Sequence, residues 1–338
     1  MAPTATDVSL VIPNYQGAGL LPETLAAVDS ALRAGRTRAE VVVCDDASTD
    51  GSAELVQRRF PSVRLVRRAV NGGFSAACNT AARTVESPLI YFLNSDAHPR
   101  PGFLDPLLPH FGDDAVFSVM SMNLAPDGHV RDPVQATPRV RFGQLRLLQG
   151  EGLERHGSAA ILAGLGALPT LYGSGSALLV RRDRFEALGG FCEQFSPFYY
   201  EDVDLGWRAW RRGWTCLFEP RSVVVHASGA TIGSTGRSGW VRVRRKRNRT
   251  LALWRNCLDV RTLLWHHVLP LPLHLAGRLA RLDSTPVAGL VSALRELGAV
   301  RAHRRLERQA AVRSDREVET LLEEARARLS RALQAASP

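Results

Sequence analysis

No run of 18 or more apolar residues occurs in this chain, so no segment reads as a membrane-spanning helix. Nothing at the N-terminus reads as a secretory leader. Met1 to Asp7 is short and polar, and Val8 to Ile12 is a strand-length run, too short for the apolar core of a signal peptide. Cysteine is sparse and scattered: Cys44, Cys78, Cys192, Cys216 and Cys257 never pair at metal-ligand spacing. Three of them lie in or beside apolar runs, which predicts buried, reduced thiols and a cytoplasmic setting. Internal repeats and low-complexity tracts are absent. Lysine is nearly missing, Lys246 being the only one among 43 cationic residues. Base composition alone can produce that bias, so it carries no binding argument.

What is present is a globular composition, 45% hydrophobic over 338 residues, enough for one large domain with an appendage or for two domains. The net charge of +10 is unevenly placed. From Gly236 onward there are 21 basic and 9 acidic residues, a net of +12, whereas the preceding 235 residues carry 22 and 24, a net of −2. The expected division is a domain over residues 1–235 and a basic, mainly helical region over 236–338.

The first 93 residues alternate strand and helix. Apolar strands are predicted at Val8–Ile12, Glu40–Cys44, Val63–Val66 and Leu89–Leu93, with helices over 22–33, 53–60 and 75–85. The alternation implies an α/β fold with a doubly wound, mostly parallel sheet and right-handed crossovers. Further on, a helix is expected over 103–111, strands at 115–122, 176–180, 216–218 and 223–225, and a helix from Asp202 to Arg212. Residues 123–168 read as an irregular, substrate-side region, and 229–239 as a Gly/Ser/Thr-rich loop. Val318, Leu321, Leu322, Ala325 and Leu329 share one face of a final charged helix.

Polar residues gather where the strands stop: Asn14 and Tyr15, Asp45 and Asp46, Asn94 and Asp96, and His226. Each alone fits a turn signal or a satisfied core histidine. Together they point to one sheet edge, where open α/β sheets bind ligands. An Asp there can hold a divalent cation, and the cation a diphosphate. Glu201, Asp202 and Asp204 open a helix directly after the aromatic stretch Phe195-Ser-Pro-Phe-Tyr-Tyr200. Aromatic faces beside a carboxylate suit a sugar whose hydroxyl is deprotonated. Ordinary N-terminal helix charge is the plainer alternative, for Asp204 above all.

The segments Val8-Ser-Leu-Val-Ile-Pro-Asn-Tyr15, Val43-Cys-Asp-Asp-Ala-Ser-Thr-Asp-Gly-Ser52, Asn71-Gly-Gly-Phe-Ser75, Phe92-Leu-Asn-Ser-Asp96 and Tyr200-Glu-Asp-Val-Asp-Leu-Gly-Trp-Arg208 stand in the order and spacing of a known motif series. Over roughly residues 7–230 the chain resembles family 2 glycosyltransferases, bacterial rhamnosyltransferase-like members in particular. The resemblance implies a GT-A fold and inverting transfer from a nucleotide-diphosphate sugar to a hydroxyl of a glycan or lipid-linked acceptor in cell-surface polysaccharide synthesis. It implies that Pro13, Asn14, Tyr15, Asp45, Asp46, Asn71, Gly72, Gly73, Asn94 and Ser95 serve the nucleotide sugar. Asn94-Ser95-Asp96 stands where the family has Asp-x-Asp, which leaves Asp96 and His226 as protein ligands of Mn²⁺ or Mg²⁺. By the same resemblance Asp202 is the catalytic base, Glu201 its acceptor-side partner, and 229–249 a mobile loop over the diphosphate.

Two other readings compete. A sugar-nucleotide nucleotidyltransferase needs a Gly-rich loop with a cation near the N-terminus, and Asn14-Tyr-Gln-Gly-Ala-Gly19 is a poor version of one. A non-catalytic nucleotide-sugar or polyanion-binding protein would work through Arg242 to Arg255, with seven cations and no acid. No nucleic-acid partner is expected. The basic, aromatic C-terminal region suggests peripheral attachment to an anionic membrane on its cytoplasmic face. The alternatives for that region are a helical bundle on the core or a homodimer through the helix at 318–329.

Overall fold

The computed structural model describes residues 7–131, 134–149, 162–226 and 238–335. Its centre is a nine-stranded mixed sheet. The strands are β1 (Val8–Asn14), β2 (Ala39–Asp45), β3 (Arg64–Arg67), β4 (Leu89–Leu93), β5 (Ala97–Pro99), β6 (Val116–Leu124), β9 (Leu168–Pro169), β10 (Ala177–Arg181) and β11 (Thr215–His226). Their order is β3-β2-β1-β4-β10-β6-β11-β5, with β9 on β11. Strands β1 to β4 are mutually parallel, β10 is antiparallel to both neighbours, and β6 and β11 are parallel. Helices α1 (Leu21–Ala34), α2 (Ser52–Arg59) and α3 (Phe74–Ala82) make the early crossovers.

Strand β4 is buried throughout because both its faces are covered. Leu89, Tyr91 and Leu93 pack with Leu25 and Val28 of α1, while Ile90 and Phe92 face Cys78 and Ala81 of α3. A strand in that position reads as an unbroken apolar run, not as an alternating one. β1, β2, β4 and β11 all run toward the same edge and release their polar residues there.

Residues 103–111 do not form the expected helix. They are turns with a short 3₁₀ segment, Leu108–Gly112. Pro101, Pro106 and Pro109 lack the N–H groups a helix there would need. The irregular region expected over 123–168 contains a hairpin, β7 (Ala136–Arg141) and β8 (Gln144–Gln149). The two short strands expected at 216–218 and 223–225 are one irregular strand, β11. Helices α4 (Arg182–Ala187) and α5 (Glu201–Arg211) flank the aromatic stretch.

Beyond residue 237 the described chain is helical: α6 (Ser238–Asn256), α7 (Val260–Val268), α8 (Pro270–Leu279), α9 (Thr285–Leu294), α10 (Leu297–Ala310) and α11 (Asp315–Ala335). The mobile loop expected over 229–249 is helix from Ser238 on, because the cation-rich run continues into the apolar Leu251–Trp254 that anchors α6. Its remainder, like the loop at 229–237, lies outside the described residues. Val318, Leu322, Ala325 and Leu329 of α11 are buried against this chain's own core. Leu321, the fifth residue of that expected face, is exposed. Among the described residues no helix is long and apolar enough to cross a membrane.

Candidate active site

The strand-end residues form a connected polar floor. At the end of β1, the buried Asn14 amide donates to Asp45 Oδ1 (2.9 Å), Ser52 Oγ (2.9 Å) and Ser48 Oγ (3.3 Å). Asp45 also accepts the Ser48 N–H, closing the turn after β2. Asp46 is buried, and both its oxygens are engaged. Oδ1 takes Arg68 Nε at 2.8 Å and the Gly72 N–H at 3.0 Å, and Oδ2 takes the Gly73 N–H at 2.7 Å. Asp46 therefore shapes the 71–73 loop, and its carboxylate is neutralised by Arg68. Tyr15 and Asn71 stand exposed at the mouth, with Pro13 half-buried behind them.

Gly73 joins this floor to the aromatic segment. It has φ +83°, and a Cβ there would sit 2.7 Å from Ser196 Oγ and 2.8 Å from Pro197 Cα. Ser196 Oγ donates to Gly72 O at 2.6 Å, and the Phe74 N–H donates to Pro197 O. Only glycine fits both the backbone angle and the approach.

Asp96 and His226 meet through a short piece of sheet. After β4 the chain turns at Asn94–Asp96, pinned by Thr24 Oγ1 donating to Ser95 O at 2.7 Å, and β5 then runs antiparallel to the end of β11. That register sets His226 opposite Ala97 and brings its Nε2 3.0 Å from Asp96 Oδ1 and 3.3 Å from Asn94 Nδ2. Two donors each about 2.1 Å from an ion, at adjacent corners of an octahedron, lie about 3.0 Å apart. The pair therefore fits one edge of a divalent-metal shell. Among the described residues no cluster of three His, Cys, Asp or Glu gathers, so the chain offers a partial shell that substrate oxygens and water would complete.

The three carboxylates that open α5 have three different surroundings. Glu201 is buried and its Oε2 has no hydrogen-bond partner. Burial, and then the adjacent Asp202 charge, hold its carboxyl well above the usual carboxylate range. Asp204 is fully buried but accepts from Arg208 Nε (2.8 Å), Arg255 Nε (2.9 Å) and Asn256 Nδ2 (2.8 Å). Burial alone would raise it; Arg255 and then Arg208 outweigh that and hold it far below the usual range. Asp204 is thus the hub of an ion network and not a helix-end charge. Asp202 is half-buried and accepts the Val203 N–H.

Tyr199 and Tyr200 lead into these carboxylates with φ of +77° and +80°. Non-glycine residues in that region cost about 1–3 kcal/mol each and need outside support. Asn248 of α6 supplies it. Its Nδ2 donates to the carbonyls of Phe195 (2.5 Å), Phe198 (2.9 Å) and Tyr199 (3.2 Å). Arg245 lies over the Tyr199 ring, 4.5 Å from its centroid. Sequence reasoning missed Asn248, Arg255 and Arg68. Arg68 stands one residue past the end of β3, so the strand-end rule would have found it. Asn248 and Arg255 sit inside the basic run and give no local signal.

Residues 9–183 match the family model described as Glycosyl transferase family 2. The chain is 29% identical over 214 residues to the N-acetylglucosaminyl-diphospho-decaprenol L-rhamnosyltransferase of Mycobacterium tuberculosis, covering 57% of this chain and 68% of that protein. Among solved structures, it superposes on GalNAc-T7 with UDP, GalNAc and Mn²⁺ at a TM-score of 0.58 and 15% identity, over 88% of this chain and 58% of that one. The mannosyltransferase PcManGT from Pyrobaculum calidifontis, in complex with GDP-Man and Mn²⁺, superposes at 0.53 and 19% identity, over 97% and 88%. These structural likenesses are of fold, the GT-A type.

Proposed function

The chain belongs to glycosyl transferase family 2, and from that premise we propose that it moves a sugar from a nucleoside-diphosphate donor to a hydroxyl of a lipid-linked acceptor, with inversion and with a divalent metal. The observation that carries this reading is the joining of two loops. The 71–73 turn that Asp46 shapes is bonded to the Ser196–Pro197 segment that leads to Asp202. Donor floor and acceptor wall therefore meet at one edge of the sheet.

Asn14, Asp45 and Asp46 hold the turns on which the nucleoside rests, with Pro13 and Tyr15 beside it. Asn71, Gly72 and Gly73 bring backbone close to the donor. Asp96 and His226, with Asn94 and Ser95 on the same turn, would hold Mn²⁺ or Mg²⁺. When bound, such an ion supplies Lewis-acid stabilisation of the departing diphosphate. Asp202 takes the proton from the acceptor hydroxyl as that oxygen attacks the anomeric carbon. One displacement by one base inverts the configuration. Glu201, whose carboxyl pKa is pushed up by burial, lines the acceptor side. The name of the mycobacterial relative supports a lipid-linked acceptor; in this reading the enzyme works at the cytoplasmic face of a membrane, with residues 1–235 as the catalytic unit and 236–338 as its basic helical extension.

The test is Asp202→Asn, which keeps shape and removes basicity. Nucleotide-sugar affinity should be unchanged and transfer slower by about 10²- to 10⁴-fold. Near-normal turnover, or a defect confined to donor affinity, would reject Asp202 as the base.

A further inference from the structure

The basic run of α6 splits into residues with different partners. Arg247 pairs with Glu296 at 2.6 Å and Arg255 with Asp204 at 2.9 Å. Among the described residues Lys246 and Arg249 have no such partner. Arg249 Nε donates to Leu145 O of β8 at 2.6 Å, and its buried Nη2 has no hydrogen-bond partner among them. Lys246 packs beneath α9, where a Cβ on Gly289 would meet Lys246 Cβ at 2.6 Å. The tip of the β7–β8 hairpin leans on α8: Phe142 stacks on His274 at 6.3 Å, and Leu271 abuts Gly143. The elements that carry Arg146, Lys246, Arg249 and Arg278 thus pack against one another. Burial, and then Arg249 and Arg278, lower the Lys246 pKa; burial, and then Arg278, Lys246, Arg146 and Arg249, lower that of His274. Among the described residues the acid recorded beside this group is Asp283, already bonded to Arg278. Like charges gathered without matching anions destabilise a fold unless a ligand supplies the anion.

This cluster adjoins the acceptor wall. Asn248, next to Arg249 on α6, donates to the Tyr199 carbonyl at 3.2 Å, two residues before Glu201 and three before Asp202. On its other side it adjoins exposed apolar surface. Leu264, Trp265 and Val268 of α7, then Leu269, Leu273 and Leu282, are 59% to 97% exposed. Monomeric proteins rarely leave so many large apolar side chains bare on neighbouring helices. Neither helix is long enough to span a bilayer, but both can lie in its interface.

An acidic peptide would satisfy the cations and leave the apolar face in water. A hydrocarbon surface alone would cover the apolar face and leave Arg249 unmatched. A molecule with a phosphate head on a hydrocarbon chain satisfies both. We propose that Arg146, Lys246, Arg249 and Arg278 hold the diphosphate of a polyprenyl-diphosphate-linked acceptor, whose chain runs along the exposed face of α7 and α8. This rests on the transfer reading above and assigns its acceptor class to named residues.

Calorimetry with the full chain, in EDTA to remove any metal, tests it with farnesyl diphosphate as the probe and inorganic pyrophosphate and farnesol as controls. Farnesyl diphosphate should bind more tightly than either control. Replacing two cations, Arg146→Gln with Lys246→Gln, should weaken it about 30-fold, each cation near an anionic group being worth about 1 kcal/mol. Arg146 is exposed, so Arg146→Gln alone, with an unchanged melting curve, should still lose about 5-fold. Leu273→Asp should weaken farnesyl diphosphate and leave pyrophosphate as it was. Equal binding of farnesyl diphosphate and pyrophosphate, or cation variants that bind like the wild type, would overturn the proposal. No donor is present in this assay, so an error in the Asp202 assignment would not affect it.

Discussion

Replacing Asp204 by Asn should destabilise the fold without altering the donor site. Asn keeps the volume and loses the charge, which leaves Arg208 and Arg255, both at most 6% exposed, facing an amide. Removing one member of a buried ion pair costs about 3–5 kcal/mol, because the remaining charge is stranded. The higher end is avoided here. Arg208 keeps its bonds to Leu188 O and Gly190 O, and Arg255 keeps Gln194 Oε1, so about 3–4 kcal/mol is expected. With an unfolding entropy of about 2.1 cal/mol/K per residue, a chain of 338 residues that melts as one unit should lose about 4–6 °C. The sign of the pH effect is fixed by the lowered pKa. This stabilisation is complete above the unfolded carboxyl pKa and is lost as pH falls through the folded one, so wild type and variant should converge only in acid. Thermal melts at pH 7 and pH 3 read both. Arg255→Met in the Asp204→Asn background should recover part of the loss. A melting shift under about 1 °C at pH 7, or strictly additive single losses, would refute the hub.

Glu201→Gln should leave stability at pH 7–8 equal or higher. The raised Glu201 pKa means that stability declines as pH rises from the unfolded value toward the folded one, and Gln removes that slope; an unchanged pH profile by urea titration would count against it. Nucleoside diphosphate should bind more tightly with Mn²⁺ than with EDTA, and Asp96→Ala should abolish the difference in calorimetry; metal-independent wild-type binding would reject the Asp96–His226 pair as ligands. Gly73→Ala should cost about 1–3 kcal/mol from its φ alone, with more from Ser196 and Pro197, and should weaken donor binding; an unchanged melt would show that the loop gives way easily. Asn248→Ala should release Tyr199 and Tyr200 and lower transfer while nucleotide binding holds, which paired turnover and binding measurements separate.

The parallel half of the sheet was legible because its strands are buried on both faces and end in polar residues. The antiparallel additions were not. β5 is three residues long and next to prolines, below any periodicity signal, yet it sets His226 beside Asp96. The β7–β8 turn places Phe142 at φ +51° before Gly143 at φ +65°, where hairpins usually carry Asn or Asp before Gly. With Phe in that place the turn gave no sign of itself. The pairing of Asp96 with His226 came from resemblance to a family. Their separation of 130 residues leaves no local trace.

The order Glu201, Asp202, Asp204 shows why sequence could name the cluster but not sort it. Successive helical positions turn by about 100°, so three acids within one turn face three directions. One direction meets the packed interior behind α3, one meets the guanidiniums of Arg208 and Arg255, and one keeps access to solvent. Burial disfavours the charge on Glu201, and Asp204 is fixed in an ion network. Of the three, only Asp202 keeps partial exposure. The partners that sort them lie as far as 52 residues along the chain. The same α6 that supplies Arg255 also supplies Asn248 to the strained Tyr199 and Tyr200. A carboxylate on a short helix behind a strained loop would wander. Tied through α6 to the core, Asp202 is held near the place where the loop of Gly72 and Gly73 meets the Ser196–Pro197 segment.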